Sequence, residues 1–405
     1  MKSKTGKKLL SLLAITGLSV TLLGACASDV PPAANIDTKS ATEDAAETTG
    51  TESSKVIKFG VIAPLTGAHA EYGQGFDAAT QIAAEEINAA GGVNGYTIEL
   101  ECQDSAADAK TSSDIFTRYG EDDSIMAVIG DFTSSCCKAN APLADEYGLV
   151  QISPTASDPS YASMNDYCYT VMYNQSTAAP WTAESVVGHY LGKTACAVMY
   201  LNTDWGITTN DYLLQGIDKA GIKLLGDESY SENETDFSSV IEKLKATGAD
   251  CLVILDQGNV PTIINQVRAA DWDCQIVSLG PGASDQILEL CGENANGLVI
   301  PCPSYITEDN PTTSDFYKKF FEKNKCAPTD HALCAYTCVQ VLAKALESID
   351  GEITREKIKD ALKDVQYDGM AGHTQFNEDG GVNRDLLIIQ VVDGTYVIQK
   401  EYGYK

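Results

Sequence analysis

Three stretches hold residue types that could do chemistry. "GDFTSSCC", residues 130–137, sets two serines beside two cysteines, directly after the apolar run 126–129. "ISPTASDP", residues 152–159, and "APLTGAHAEYGQG", residues 63–75, add further hydroxyls and glycines behind other apolar runs. Groups of this kind admit four chemistries: a nucleophile, a metal site, a redox pair, or a cradle for an anion.

Local signatures for the first three are missing. The chain has no G-x-S-x-G elbow and no H-E-x-x-H. Its four histidines, His69, His189, His331 and His373, form no pair at helical spacing. Cys136-Cys137 is not a C-x-x-C pair, and Cys334 and Cys338 lack partners at zinc spacing, which points to core packing. "GKT" at 192–194 precedes its strand, whereas a phosphate loop follows one. "GQGFDA" at 73–78 fits G-x-G-x-x-A but starts about ten residues after its strand, too late for a dinucleotide turn. No cofactor and no metal are expected. A secreted hydrolase using Ser134 or Ser157 stays open on residue types alone.

The surrounding elements decide what those loops can do. From Lys55 onward apolar runs alternate with amphipathic ones. "VIKFGVIA", "YTIELEC", "MAVIG" and "LVQIS" read as strands, with helices near 74–90, 109–122 and 136–146 between them. A second series of helices and strands begins near Thr177 and runs to about residue 301. Helices near 312–324, 332–348 and 354–365 follow, then the strands "LLIIQVV" and "TYVIQK". Continuous apolar strands between amphipathic helices predict parallel sheets covered on both faces. Two such series predict two doubly wound α/β lobes, joined by a hinge that the chain crosses more than once. Residues 55–175 plus 304–368 are assigned to lobe 1, and 176–303 plus 369–405 to lobe 2. Ligands of open parallel sheets bind beyond the carboxyl ends of the strands, beside helix N-termini. All three loops fall at that edge of lobe 1, which predicts a small-molecule site.

The N-terminus bears on location. Lys2, Lys4, Lys7 and Lys8 precede the uncharged, mostly apolar stretch 9–23, too short to span a bilayer and laid out as an export signal. It ends in Leu23-Gly24-Ala25-Cys26, which resembles the lipobox of bacterial lipoproteins and marks Cys26 for lipidation after removal of residues 1–25. Residues 26–54 are rich in Ala, Thr, Ser, Asp and Glu and read as a disordered tether. The formal charge is -29, and the four departing lysines make it more negative still. So acidic a surface excludes nucleic acid and anionic lipid headgroups as partners. Twelve cysteines follow Cys26. Most lie within apolar patterns and read as small packing residues, with one or two disulfides expected in an exported chain.

An exported lipoprotein with two α/β lobes resembles the solute-binding component of bacterial ABC importers, in its leucine/isoleucine/valine-binding branch. The resemblance rests on "IKFGVIAPLTGAHAEYGQG", "AAEEINAAGGVNG", "VIGDFTSSCCKANAPLADEYGLVQISPTAS", "IEKLKATGADCLVI", "INQVRAADW" and "HTQFNEDGGVNRDLLIIQVVDG". It implies a type I periplasmic-binding fold, a monomer, and an amino acid or related small carboxylate or amide held between closing lobes. ABC permease subunits are the implied membrane partner. A ligand-sensing receptor component with the same fold is the alternative role. By that resemblance Ser134 and Ser135 meet the ligand carboxylate, and Tyr72 is the aromatic residue of the first loop. The Thr155 carbonyl and the Ser157 hydroxyl, flanking Ala156, accept from the ligand ammonium. Trp205 stands where the family often has tyrosine, and Gly282 where it usually has an acid. Asp256 or Gln257 falls near another family contact. Asp256 either supplies the missing negative charge or caps the turn before Gly258. His331 lies near a position that is aromatic in the family. Cys136 or Cys137 is a candidate partner for Cys102.

Overall fold

The computed structural model describes residues 55–399. The export signal, the tether and Cys26 lie outside the described residues. The first part of the chain runs β1 (Lys55–Ala63), α1 (Ala70–Ala89), β2 (Tyr96–Asp104), α2 (Ala109–Glu121), β3 (Ile125–Gly130) and α3 (Ser134–Tyr147). It continues through β4 (Gln151–Ser153), the short α4 (Pro159–Ala162) and β5 (Cys168–Thr170). These strands form one parallel sheet in the order β2-β1-β3-β4-β5. β1 is paired on both sides, and its apolar run "VIKFGVIA" is buried over its last five residues, as a strand covered on both faces must be.

α5 (Gln175–Trp181) leads to the second sheet and passes directly into a π-helical stretch over Thr182–Tyr190. There follow β6 (Ala195–Leu201), α6 (Asp204–Lys219), β7 (Lys223–Tyr230), α7 (Ser238–Lys245), β8 (Cys251–Leu255) and α8 (Val260–Ala269). β9 (Gln275–Leu279), α9 (Asp285–Cys291) and β10 (Val299–Cys302) complete this run. Then α10 (Ser314–Asn324), α11 (Asp330–Glu347) and α12 (Arg355–Lys363) return to the first sheet, packing on α1 and β3. α11 is buried along almost its whole length, so its apolar sequence serves as core on nearly every side. A small hairpin of β11 (Gln366–Gly369) and β12 (Gly372–Gln375) precedes β13 (Leu387–Val392) and β14 (Thr395–Ile398).

The second sheet has the order β14-β13-β10-β9-β8-β6-β7. Pairings from β7 to β10 are parallel, and β13 and β14 add an antiparallel edge. The fold is therefore α/β, with a first sheet built from one continuous run of chain and a second that takes β13 and β14 from beyond the returning helices.

Two expectations need correction. The sheets were expected to be parallel, but β13 and β14 make the second one mixed. Disulfides were expected, yet all twelve cysteines of the described residues are free thiols. Ten of them are buried, and several donate to nearby carbonyls: Cys137 to Asp131 O at 3.3 Å and Cys291 to Pro261 O at 3.5 Å. Cys102 stays on β2 beside Asp77 while Cys136 and Cys137 sit inside the α3 packing layer, so no pair forms. Burial pushes these thiols well above their ordinary range, which keeps them protonated packing groups at neutral pH.

Candidate functional site

The loop between β3 and α3 begins the site. Thr133 caps α3, its side-chain oxygen accepting from Cys136 N–H at 3.2 Å. The N–H groups of a helix's first turn have no acceptor within the helix, so those of Ser134 and Ser135 remain for another group. Ser134 is buried and its Oγ accepts from Asp158 N–H at 3.3 Å; Ser135 is half-buried. The loop after β4 is laced to this one. Ser153 Oγ donates to Asp131 O at 2.9 Å and accepts from the N–H groups of Thr155 and Ala156. Thr155 Oγ1 donates to Phe132 O at 2.6 Å, and Ala156 O accepts from Thr170 Oγ1 at 2.7 Å. The two loops therefore form one rigid rim.

The second sheet presses directly against that rim. Trp205, in the first turn of α6, donates from Nε1 to Ser157 Oγ at 3.1 Å. Ser157 thus accepts an N–H, here from an indole. Gln175 ties the same two places through the hinge: its N–H donates to Ser157 O at 2.9 Å and its Nε2 to Trp205 O at 3.0 Å. Gly280 makes room for the indole. A Cβ there would lie 2.7 Å from the ring, and its φ of +123° suits glycine alone. Lys138 bridges Asp158 at 3.1 Å and Asp204 at 3.4 Å, and His69 Nε2 lies 3.6 Å from Glu232.

Aromatic rings line the seam. Tyr72 stacks on Phe132 at 4.9 Å between centroids, and its hydroxyl donates to Pro281 O at 3.4 Å. His331 meets Tyr72 edge-on at 5.0 Å. Gln257 lines a small cavity of about 10 Å³ beside Tyr72 and Glu71, so the sheets are closed on each other here. Two open hollows, about 620 and about 760 Å³, lie elsewhere, around Tyr169, Lys363 and residues 373–383. They are shallow outer surfaces, bordered by Asp166, Glu378 and Asp379.

The residues singled out from sequence, Tyr72, Ser134, Ser135, Thr155, Ala156, Ser157, Trp205, Gln257 and His331, line or border this seam. Asp256 is occupied differently. Its Oδ1 accepts from Gly258 N–H at 2.6 Å and Asn259 N–H at 2.7 Å, and its Oδ2 from Tyr230 Oη at 2.6 Å. Of its two possible roles, the geometry displays the turn-capping one. Phe132, Gln175 and Asp330 were missed. Phe132 sits within residues 130–137, where an apolar side chain gives no chemical signal beside its polar neighbours. The other two gain their place only through long-range packing.

No serine here is set up as a nucleophile. Among the described residues no histidine hydrogen-bonds Ser134 or Ser157, and no cluster of histidine, cysteine and acidic groups could hold a metal.

Comparison with known proteins gives the chain's family and fold relatives. Residues 56–395 match the family model described as periplasmic binding protein. The chain belongs to the periplasmic binding protein family, a family of binding proteins and not of enzymes, which implies an extracytoplasmic location. Among its relatives is the leucine-, isoleucine-, valine-, threonine-, and alanine-binding protein of Pseudomonas aeruginosa, 26% identical over 340 residues, covering 82% of this chain and 89% of the relative. A Leu/Ile/Val-binding protein homolog of Brucella suis is 25% identical, covering 80% and 87%. Similar solved folds include a branched-chain amino acid transporter substrate binding protein from Streptococcus pneumoniae in complex with isoleucine. It has a TM-score of 0.78 and 23% identity, covering 85% of this chain and 99% of that one. A solute binding protein from R. palustris in complex with benzoate has the same TM-score at 15% identity, covering 85% and 95%.

Glu71 reports on the seam. It reaches across to Ser284, and desolvation, with Asp285 and Glu289 adding to it, raises its carboxyl to about 7 from 4.5. The folded chain then holds a proton that the unfolded chain has lost, so its stability falls as pH rises from about 4.5 to about 7. Glu71→Gln removes this titration. In urea unfolding across pH 4.5 to 8, the variant should gain on the native chain as pH rises; a difference independent of pH would contradict the assignment.

Proposed function

We propose that this chain is the lipid-anchored capture component of an ABC importer, holding an amino acid between its two lobes outside the cytoplasm. The observation that carries this is the seam itself. Helix-tip amides and hydroxyls at Ser134, Ser135 and Ser157 on one side meet Trp205 and the turn 280–284 on the other, with Tyr72, Phe132 and His331 between. Orphan N–H groups at the start of α3 suit a carboxylate without a buried counter-charge. The hydroxyl of Ser157 and the carbonyl of Thr155 suit an N–H donor. The aromatic rings suit an apolar side chain.

Several relatives are named for binding leucine, isoleucine and valine, which supports a ligand with the same head group. The contacts that close the seam are weak enough to be exchanged. A hydrogen bond such as Trp205 to Ser157 contributes about 1 kcal/mol net, and an exposed ion pair such as Lys138 to Asp204 about 0–1 kcal/mol. A micromolar ligand supplies about 8 kcal/mol. Binding can therefore replace these contacts and reclose the lobes around the solute. The closed lobes would then present a surface to the permease.

A thermal-shift panel of all the standard L-amino acids and benzoate tests capture. A true ligand at a hundredfold excess over Kd stabilises the protein by about 2.7 kcal/mol. We expect one or more amino acids to shift the midpoint; silence across the panel would contradict the reading. The anchor is tested separately. Cys26→Ser should move the exported protein from the membrane pellet to the soluble fraction, and continued pelleting would contradict lipidation at Cys26.

A further inference from the structure

One acidic group in the seam has no Lys or Arg beside it. Asp330 opens α11 and faces the turn after β9, with 3% of its surface exposed. Its Oδ1 has no hydrogen-bond partner among the described residues. The nearest basic atom is Nδ1 of His331 at 3.5 Å, which also lacks a hydrogen bond. His331 is itself 4% exposed, and burial holds its imidazole below the ordinary value, so it is neutral near pH 7. Among the described residues no lysine or arginine pairs with Asp330. The other ionisable groups whose charge reaches the neighbouring Tyr72 hydroxyl include Glu71 and Asp256, both acids.

The backbone opposite is shaped around this carboxylate. A Cβ on Gly282 would lie 2.3 Å from Asp330 Oδ1 and 3.0 Å from His331 Nδ1. Gly282 also has a φ of +55°, so a side chain there would be strained and would evict the acid. The enclosure is otherwise aromatic: His331 lies edge-on to Tyr72 at 5.0 Å and to Phe132 at 5.8 Å. Tyr72 donates to Pro281 O, the residue before Gly282.

The helix start accounts for this placement only in part: the N–H groups of Asp330 and His331 favour the carboxylate, and burial outweighs them. An acid in a helix's first turn interacts favourably with the dipole while still in contact with water, and Thr329 already caps α11 through Ala332 N–H at 3.3 Å. Burying the carboxylate with a free oxygen is costly unless an opposite charge joins it. Desolvation accordingly pushes the Asp330 carboxyl above its ordinary value.

We propose that Asp330 is the anionic contact for the ligand's amino group, so that the site takes ammonium-bearing amino acids and rejects carboxylates that lack one. This rests on the capture reading above and names the class of solute captured. Asp330 is on this view a specificity-determining residue, and Gly282 is the clearance that lets it reach the seam.

Paired ligands test it by calorimetry: L-leucine against 4-methylpentanoate, L-phenylalanine against 3-phenylpropanoate, and any other amino acid that shifts the melt against its desamino acid. The native chain should bind the amino acid and not its desamino partner. Asp330→Asn should weaken amino-acid binding by about thirtyfold or more, and Asp330→Glu should retain the preference for the amino form. Without ligand, Asp330→Asn should melt at or above the native temperature, because it removes a buried acid whose Oδ1 has no partner. Equal amino-acid affinity in native and Asp330→Asn proteins would overturn the assignment, as would a markedly lower ligand-free melt, which would mark Asp330 as structural. Tight binding of a desamino acid or of benzoate by the native chain would overturn it while leaving capture standing. Silence from every amino acid and every carboxylate would remove the capture reading, and this one with it.

Discussion

A parallel strand followed by a helix ends in backbone N–H groups that no neighbour within the element can satisfy. That constraint organises this molecule. At the tip of α3 the Ser134 and Ser135 amides form such an edge, held in place by Thr133, Ser153 and Thr155. A second sheet, built from the later part of the chain, brings Trp205 and the 280–284 turn up to it. Neither sheet alone forms this seam. The enclosure exists only where they face each other, which is why a binding function and a two-sheet fold belong together here.

The electrostatics of that enclosure are one-sided. Lys138 is satisfied by Asp158 and Asp204 at the edge, whereas Glu71 and Asp330 are desolvated further in. On the proposed reading a carboxylate would meet neutral dipoles at a helix tip and a cation would meet acids, so the two ends of a zwitterion would find different environments. The overall charge of -29 plays little part, because salt screens distant charges while the local groups are buried.

Much of this was legible in the sequence. Apolar runs such as "VIKFGVIA" and "CLVIL" announce strands covered on both faces, and the hydroxyl-rich loops behind them fall at the carboxyl edge of a sheet. Polar hairpins such as "QYDG" and "GHTQ" carry no such pattern, so β11 and β12 were invisible. The even count of cysteines suggests pairing, but their apolar neighbours are the better guide, since ten of the twelve are buried free thiols. Asp330 reads locally as an ordinary first-turn acid, and Gly282 as an ordinary turn glycine. Their meaning appears only when the fold brings the turn after β9 against the start of α11. Gln175, likewise, matters because it links Ser157 to Trp205, not because of its neighbours in sequence.

The most direct test of the account is where the solute is felt. Hydrogen–deuterium exchange of the whole protein, with and without the amino acid that shifts its melting most, maps that place by segment. The account predicts slowed exchange at residues 131–136, 155–158, 205–209, 280–284 and 330–333 together. Protection confined to the outer hollow around residues 162–169 and 376–380, with the seam unchanged, would contradict it.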